Sequence, residues 1–175
     1  MTGGNLDLFS AFPLLDPDVL ANTLQADALN PSPLSAGREV LAKVDEHLKH
    51  GQSFAIETTL SGKNYLRTML VAREMGFNAA LVYVGTSSVE INIARIARRV
   101  IGGGHNVPDA DVRRRYERSL SNLVIAAHRA DFVIVFDNST DRGYQKVVLI
   151  DKDECTWFDP VPSWAEPLRA SFERT

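Results

Sequence analysis

The period of the apolar positions changes several times along the chain, and each change marks an element. Phe12 to Leu15 is a short apolar run that reads as a strand. Asp16-Pro17-Asp18-Val19-Leu20 then reads as a helix start, with Asp16 as N-cap and Pro17 in the first turn. A second helix opens at Ser32-Pro33, and Leu34, Val40, Leu41, Val44 and Leu48 keep its period until Gly51 stops it. Ser53 to Glu57 reads as a short buried strand ending in an acid. Residues 62–75 return to a helical pattern closed by Gly76, and Phe77 to Val84 is the most strand-like run of the chain.

The second half continues the alternation. Ser87-Ser88-Val89-Glu90 has capping-box spacing and starts a helix to about Ile101, which Gly102-Gly103-Gly104-His105 cannot continue. Pro108 stands at the first turn of a long helix to about Arg129, with Val112, Tyr116, Leu120, Leu123, Val124 and Ala127 along one face. Phe132 to Phe136 is unbroken and apolar, as expected of a strand covered on both faces. Gln145 to Ile150 and Glu154 to Phe158 predict a hairpin, and the tail from Pro160 is expected to pack on the surface. Together these predict one α/β domain over residues 1–175, a mostly parallel sheet flanked by helices with a C-terminal β-hairpin.

Composition narrows the setting. With 45% hydrophobic and 23% charged residues, the chain of 175 residues can bury a core of its own. The single cysteine, Cys155, excludes an intramolecular disulfide and a Cys-rich zinc site, and no His/Cys cluster has metal-ligand spacing, so no protein-held metal is expected. No apolar run is long enough to span a membrane and no basic residue precedes an apolar stretch at the start, so a cytoplasmic protein is expected. A net charge of −3 argues against bulk attraction to nucleic acid or membrane. Yet Arg95, Arg98, Arg99, Arg113, Arg114, Arg115 and Arg118 crowd into one stretch, a pattern that fits either a local anion such as phosphate or two solvated helix faces.

In parallel sheets, ligands bind beyond the carboxyl ends of the strands. The residues there are Asp16-Pro17-Asp18, Glu57-Thr58-Thr59-Leu60-Ser61-Gly62, the stretch Arg95 to Arg115, and Asp137-Asn138-Ser139. With Gly103-Gly104-His105-Asn106-Val107-Pro108, Arg114-Arg115-Tyr116 and Asn122-Leu123, this ordered set resembles the zeta toxin-like kinases, in their predicted ATPase branch, over about residues 13–140. The resemblance implies a P-loop kinase-like fold, ATP and Mg²⁺ as cofactors, and phosphoryl transfer to a hydroxyl of a small acceptor such as a UDP-N-acetylamino sugar. It implies Asp18 as the acid that takes the hydroxyl proton and Arg95 as a lid arginine. Glu57, Thr58, Thr59 and Asn64 would contact the acceptor, and Arg98, Arg99, Arg114 and Arg115 the phosphates. His105 would either donate to phosphate or hold its loop through the backbone.

The sequence departs from that pattern in one place. No G-x-x-x-x-G-K-[ST] loop is present to hold the phosphates and Mg²⁺ through backbone amides, a lysine and a hydroxyl. The expectation is a domain without the first strand and P-loop, whose flanking strands, Ser53 to Glu57 and Phe77 to Val84, must pair with one another, with the N-terminal segment or with another subunit. The alternative reading is a catalytically inactive module of a toxin-antitoxin-type system that binds an antitoxin-like protein or an anionic ligand.

Overall fold

The structure is a computed structural model that describes residues 12–16, 33–152 and 154–173. Asp18 and the helix start beyond Asp16 lie outside the described residues. The chain divides into two compact units, Met1–Thr58 and Thr59–Thr175.

In the first unit, strands β1 (Leu14–Leu15) and β2 (Ala55–Ile56) lie parallel, Leu14 beside Ala55 and Leu15 beside Ile56. The strand expected over Ser53 to Glu57 contracts to two residues because its partner is no longer. Glu57 still joins the ladder by donating its N–H to the Leu15 carbonyl at 3.2 Å. Helix α1 (Pro33–Lys49) buries Val40, Val44 and Leu48, a stripe at helical spacing. It ends at Gly51 as predicted, with the Gln52 N–H returning to the His47 carbonyl at 2.9 Å in a six-to-one bond.

The second unit holds a four-stranded sheet in the order β3 (Ala80–Gly85), β4 (Phe132–Asp137), β5 (Gln145–Asp151), β6 (Glu154–Trp157). Its helices are α2 (Asn64–Glu74), α3 (Val89–Ile101), α4 (Asp109–Arg129) and α5 (Glu166–Phe172). β3 and β4 run parallel, from Ala80 beside Phe132 to Gly85 beside Asp137, whereas β4, β5 and β6 are antiparallel neighbours. The sheet is therefore mixed, not mostly parallel as expected. Residues 138–144 are too few for a crossover, which needs a dozen or more, so β5 can only return antiparallel. Among the described residues β3 is paired with β4 alone.

The core sits on the face formed by Val133 and Val135 of β4, both fully buried, against Leu123, Ala126 and Ala127 of α4 and Leu66 of α2. Burying each such Val or Leu side chain contributes about 1.5–3 kcal/mol. The tail does not merely lie on the surface: Trp164, Ala165 and Leu168 belong to this same core. Among the described residues no helix is long and apolar enough to cross a membrane.

Candidate functional site

The arginine-rich stretch folds into an arm, α3 with the glycine loop after it, that leaves the sheet at the carboxyl end of β3, and into α4, whose later turns return to the core. The two helices pack on each other, but α3 buries none of its residues fully, and Ile101 at its end is 87% exposed. Such an element has little apolar burial to hold it in one position.

At the start of α3 the expected capping box does not form. Ser88 is the N-cap without a side-chain cap bond. The Ser87 N–H instead donates to Ser139 Oγ at 2.8 Å, and the Glu90 carboxylate accepts from Arg113 Nη1 at 2.7 Å. Partners distant in sequence have taken both ends of the box. The hydrogen bond from Arg113 holds the Glu90 carboxyl below its ordinary range, helped by its own backbone N–H and by Ser88.

The other end of α3 is closed by the glycine loop. Gly103 has φ +86°, the left-handed conformation that glycine adopts without strain. The Gly104 N–H bonds back to the Arg99 carbonyl at 2.9 Å. A Cβ on Gly104 would lie 2.5 Å from Cγ of Arg99, whose stem covers the loop. Arg99 Nη2 then donates to the His105 carbonyl at 3.1 Å. The His105 backbone carbonyl thus takes part in holding the loop.

The candidate phosphate arginines fall into two groups. Arg99 holds the glycine loop, and Arg114 Nη2 donates to Asp111 Oδ1 at 2.5 Å within α4. Arg95 and Arg98, one turn apart on α3, and Arg115 on α4 make no hydrogen bond or ion pair among the described residues, and Arg95 is half-buried. A half-buried guanidinium without a partner favours an anion, because its charge is partly removed from water and unanswered by protein.

Beneath the arm, the carboxyl ends of β3 and β4 carry a polar junction built on Asp137 and Ser139 of the expected strand-end group, to which Trp164 adds a partner that the sequence did not reveal. Asp137 Oδ1 accepts from Ser139 Oγ at 2.5 Å and from Trp164 Nε1 at 2.9 Å. Gly85 lies beside Asp137, and a Cβ there would run into the Trp164 ring. Tyr116 donates to the Thr86 carbonyl at 2.8 Å, and the Tyr83 and Ser119 hydroxyls bond at 3.0 Å. Burial pushes both phenols above their ordinary range, and for Tyr116 the negative charges of Glu90 and Asp137 add to it. Both keep their protons at neutral pH.

Glu57 and Thr58 close the first unit and Thr59 opens the second; all three are exposed. Within the second unit, Thr59 and Ser61 hydroxyls bond at 2.9 Å around Leu60, a buried residue at φ +56°. Asn122, itself buried, donates to the Leu60 carbonyl at 2.8 Å and holds that conformation. Asn64 opens α2 with its side chain exposed. The described residues thus bring Arg95, Arg98 and His105 onto α3 and the loop after it, with Arg115 on the neighbouring α4; Asp18 lies outside them. Among them no three His, Cys, Asp or Glu side chains converge to hold a metal ion.

Comparison with known proteins gives one relative. A Haemophilus influenzae protein known only as an uncharacterized protein is 37% identical over 105 residues, which span 59% of this chain and 74% of the relative. The chain belongs to that protein's family. No family model matches the chain. No solved structure matches it significantly.

Proposed function

We propose that this chain is a kinase domain of the zeta toxin-like type, with a P-loop kinase-like fold, whose α3 arm closes over phosphate groups. The observation that carries the reading is Arg95, half-buried and without a hydrogen-bond or ion-pair partner among the described residues, on α3, a helix that buries none of its residues fully. A lid needs low intrinsic stability to move and fixed cations to answer the charge of a transferring phosphoryl group. Arg95 and Arg98 fit phosphate oxygens, with Arg115 as a further cation on α4. ATP with Mg²⁺ would supply the γ-phosphoryl and neutralise part of its charge, and with no G-x-x-x-x-G-K-[ST] loop in the sequence its phosphates would rest on Arg95, Arg98 and Arg115. In this reading Asp18 takes the proton of the acceptor hydroxyl. Glu57, Thr58, Thr59 and Asn64 orient a small polyhydroxylated acceptor of the UDP-N-acetylamino sugar class.

The experiment is transfer of labelled γ-phosphate from ATP to UDP-N-acetylglucosamine and related acceptors by the full chain. Asp18→Asn is expected to lower the rate by roughly 10²–10⁴-fold, the usual worth of a positioned general base. Transfer that is indifferent to Asp18→Asn and Arg95→Ala ends this reading. A second reading, a non-catalytic module that binds an anionic ligand or an antitoxin-like protein, draws on Arg99 and Arg114 being engaged within the chain. It predicts binding of the nucleotide sugar without turnover.

A further inference from the structure

We infer that Ser139 is the hinge pin of the α3 arm, and that Asp137 and Trp164 are positioning residues which hold that pin in place. This rests on the reading of the arm as a lid and adds what governs its position. The observation is a continuous chain of hydrogen bonds from the C-terminal tail to the root of α3. Trp164 Nε1 donates to Asp137 Oδ1 at 2.9 Å, Ser139 Oγ donates to the same oxygen at 2.5 Å, and Ser139 Oγ in turn accepts from the Ser87 N–H at 2.8 Å.

Each link has one role. Ser87 directly precedes Ser88, the N-cap of α3, so its amide lies at the root of the arm. The Ser139 hydroxyl has one proton, and its donation to the Asp137 carboxylate leaves its lone pairs for the Ser87 amide. A charged acceptor strengthens both the serine and the indole bond. Trp164 is 8% exposed and packed where Gly85 lacks a side chain, so the ring fixes the indole N–H rather than following the carboxylate. The Asn138 N–H donates to the Gly85 carbonyl at 2.8 Å, which sets the backbone from which Ser139 reaches across. The arm therefore turns about a point that belongs to β4 and the tail, and not to α3 itself.

The test is amide hydrogen exchange on the full chain, comparing the wild type with Ser139→Ala and Ser139→Thr. Ser139→Ala removes the acceptor for Ser87, and exchange at Ser87 and the first turn of α3 is expected to rise roughly two- to tenfold, the net worth of one hydrogen bond. Ser139→Thr keeps the hydroxyl and should restore slow exchange, and amides of β5 and β6 should not change. Unchanged exchange in Ser139→Ala, no rescue by threonine, or acceleration spread evenly into β5 and β6 overturns the hinge. Inorganic pyrophosphate separates this from the lid reading. If it slows arm exchange in the wild type and less so in Ser139→Ala, both stand. If it leaves the wild type unaltered while Ser139→Ala still loosens the arm, the hinge stands and the phosphate-closing role falls.

Discussion

Tyr116, in the first half of α4, donates its phenolic hydrogen to the Thr86 carbonyl at 2.8 Å and so fastens α4 to the residue that follows β3. Thr86 is 5% exposed, so water is poorly placed to replace the phenol. Tyr116→Phe keeps the ring and removes the donor. We expect a loss of about 1–3 kcal/mol in chemical denaturation, the cost of an unanswered buried carbonyl. A loss under a few tenths would mean that the carbonyl finds another donor.

The Glu90–Arg113 contact gives the arm a pH response of known sign. The folded-state carboxyl is held below its ordinary value of 4.5, chiefly by the hydrogen bond from Arg113. Its contribution is therefore complete above that value and is lost as pH falls through the lowered one. Hydrogen exchange in α3, corrected for intrinsic rates, should rise in acid, and Glu90→Gln should be less pH-dependent. High salt should weaken the contact as well, because both side chains are exposed. An acid response equal in Glu90→Gln and wild type would assign the effect to another group.

Gly85→Ala tests the packing of the tail against the end of β3. The added methyl enters space held by the Trp164 ring, so either the ring or the strand must move. Overpacking of this kind costs about 1–3 kcal/mol. The near-ultraviolet circular dichroism of the indole should change with it, and an unaltered spectrum with full stability would contradict the placement of Trp164.

Asn122→Ala removes the buried amide that holds Leu60 in its left-handed conformation. Such a conformation in a residue other than glycine costs on the order of 1–3 kcal/mol and persists only where its surroundings impose it. We expect a stability loss of about 1–3 kcal/mol and faster proteolysis between Thr58 and Gly62. Wild-type resistance to protease in that segment would show that the burial of Leu60 alone suffices.

Elements whose cause is local were legible in the sequence. Periodicity placed α1, α2, α3 and α4 within a few residues of their ends, and unbroken apolar runs placed β3 and β4. The arginine cluster was legible for the same reason, since proximity in sequence became proximity along two packed helices. What escaped depends on partners far along the chain. Ser87 and Glu90 have the spacing of a cap, yet Ser139 and Arg113 claim their bonding groups. The direction of β5 was fixed by the short link after β4, which the alternation of strands and helices did not convey. Trp164 was expected on the surface because nothing in its own neighbourhood shows that Gly85 leaves room for an indole ring and Asp137 an acceptor for its N–H.

Trp164 has a further practical consequence. Its ring lies 6.1 Å from that of Tyr83 and its N–H rests on a carboxylate, in a place where little solvent reaches. The protein thus carries a native fluorophore at the root of the arm proposed to move. Replacing Trp157 by phenylalanine would leave Trp164 as the sole indole, and its emission could then follow the arm in real time without any attached label.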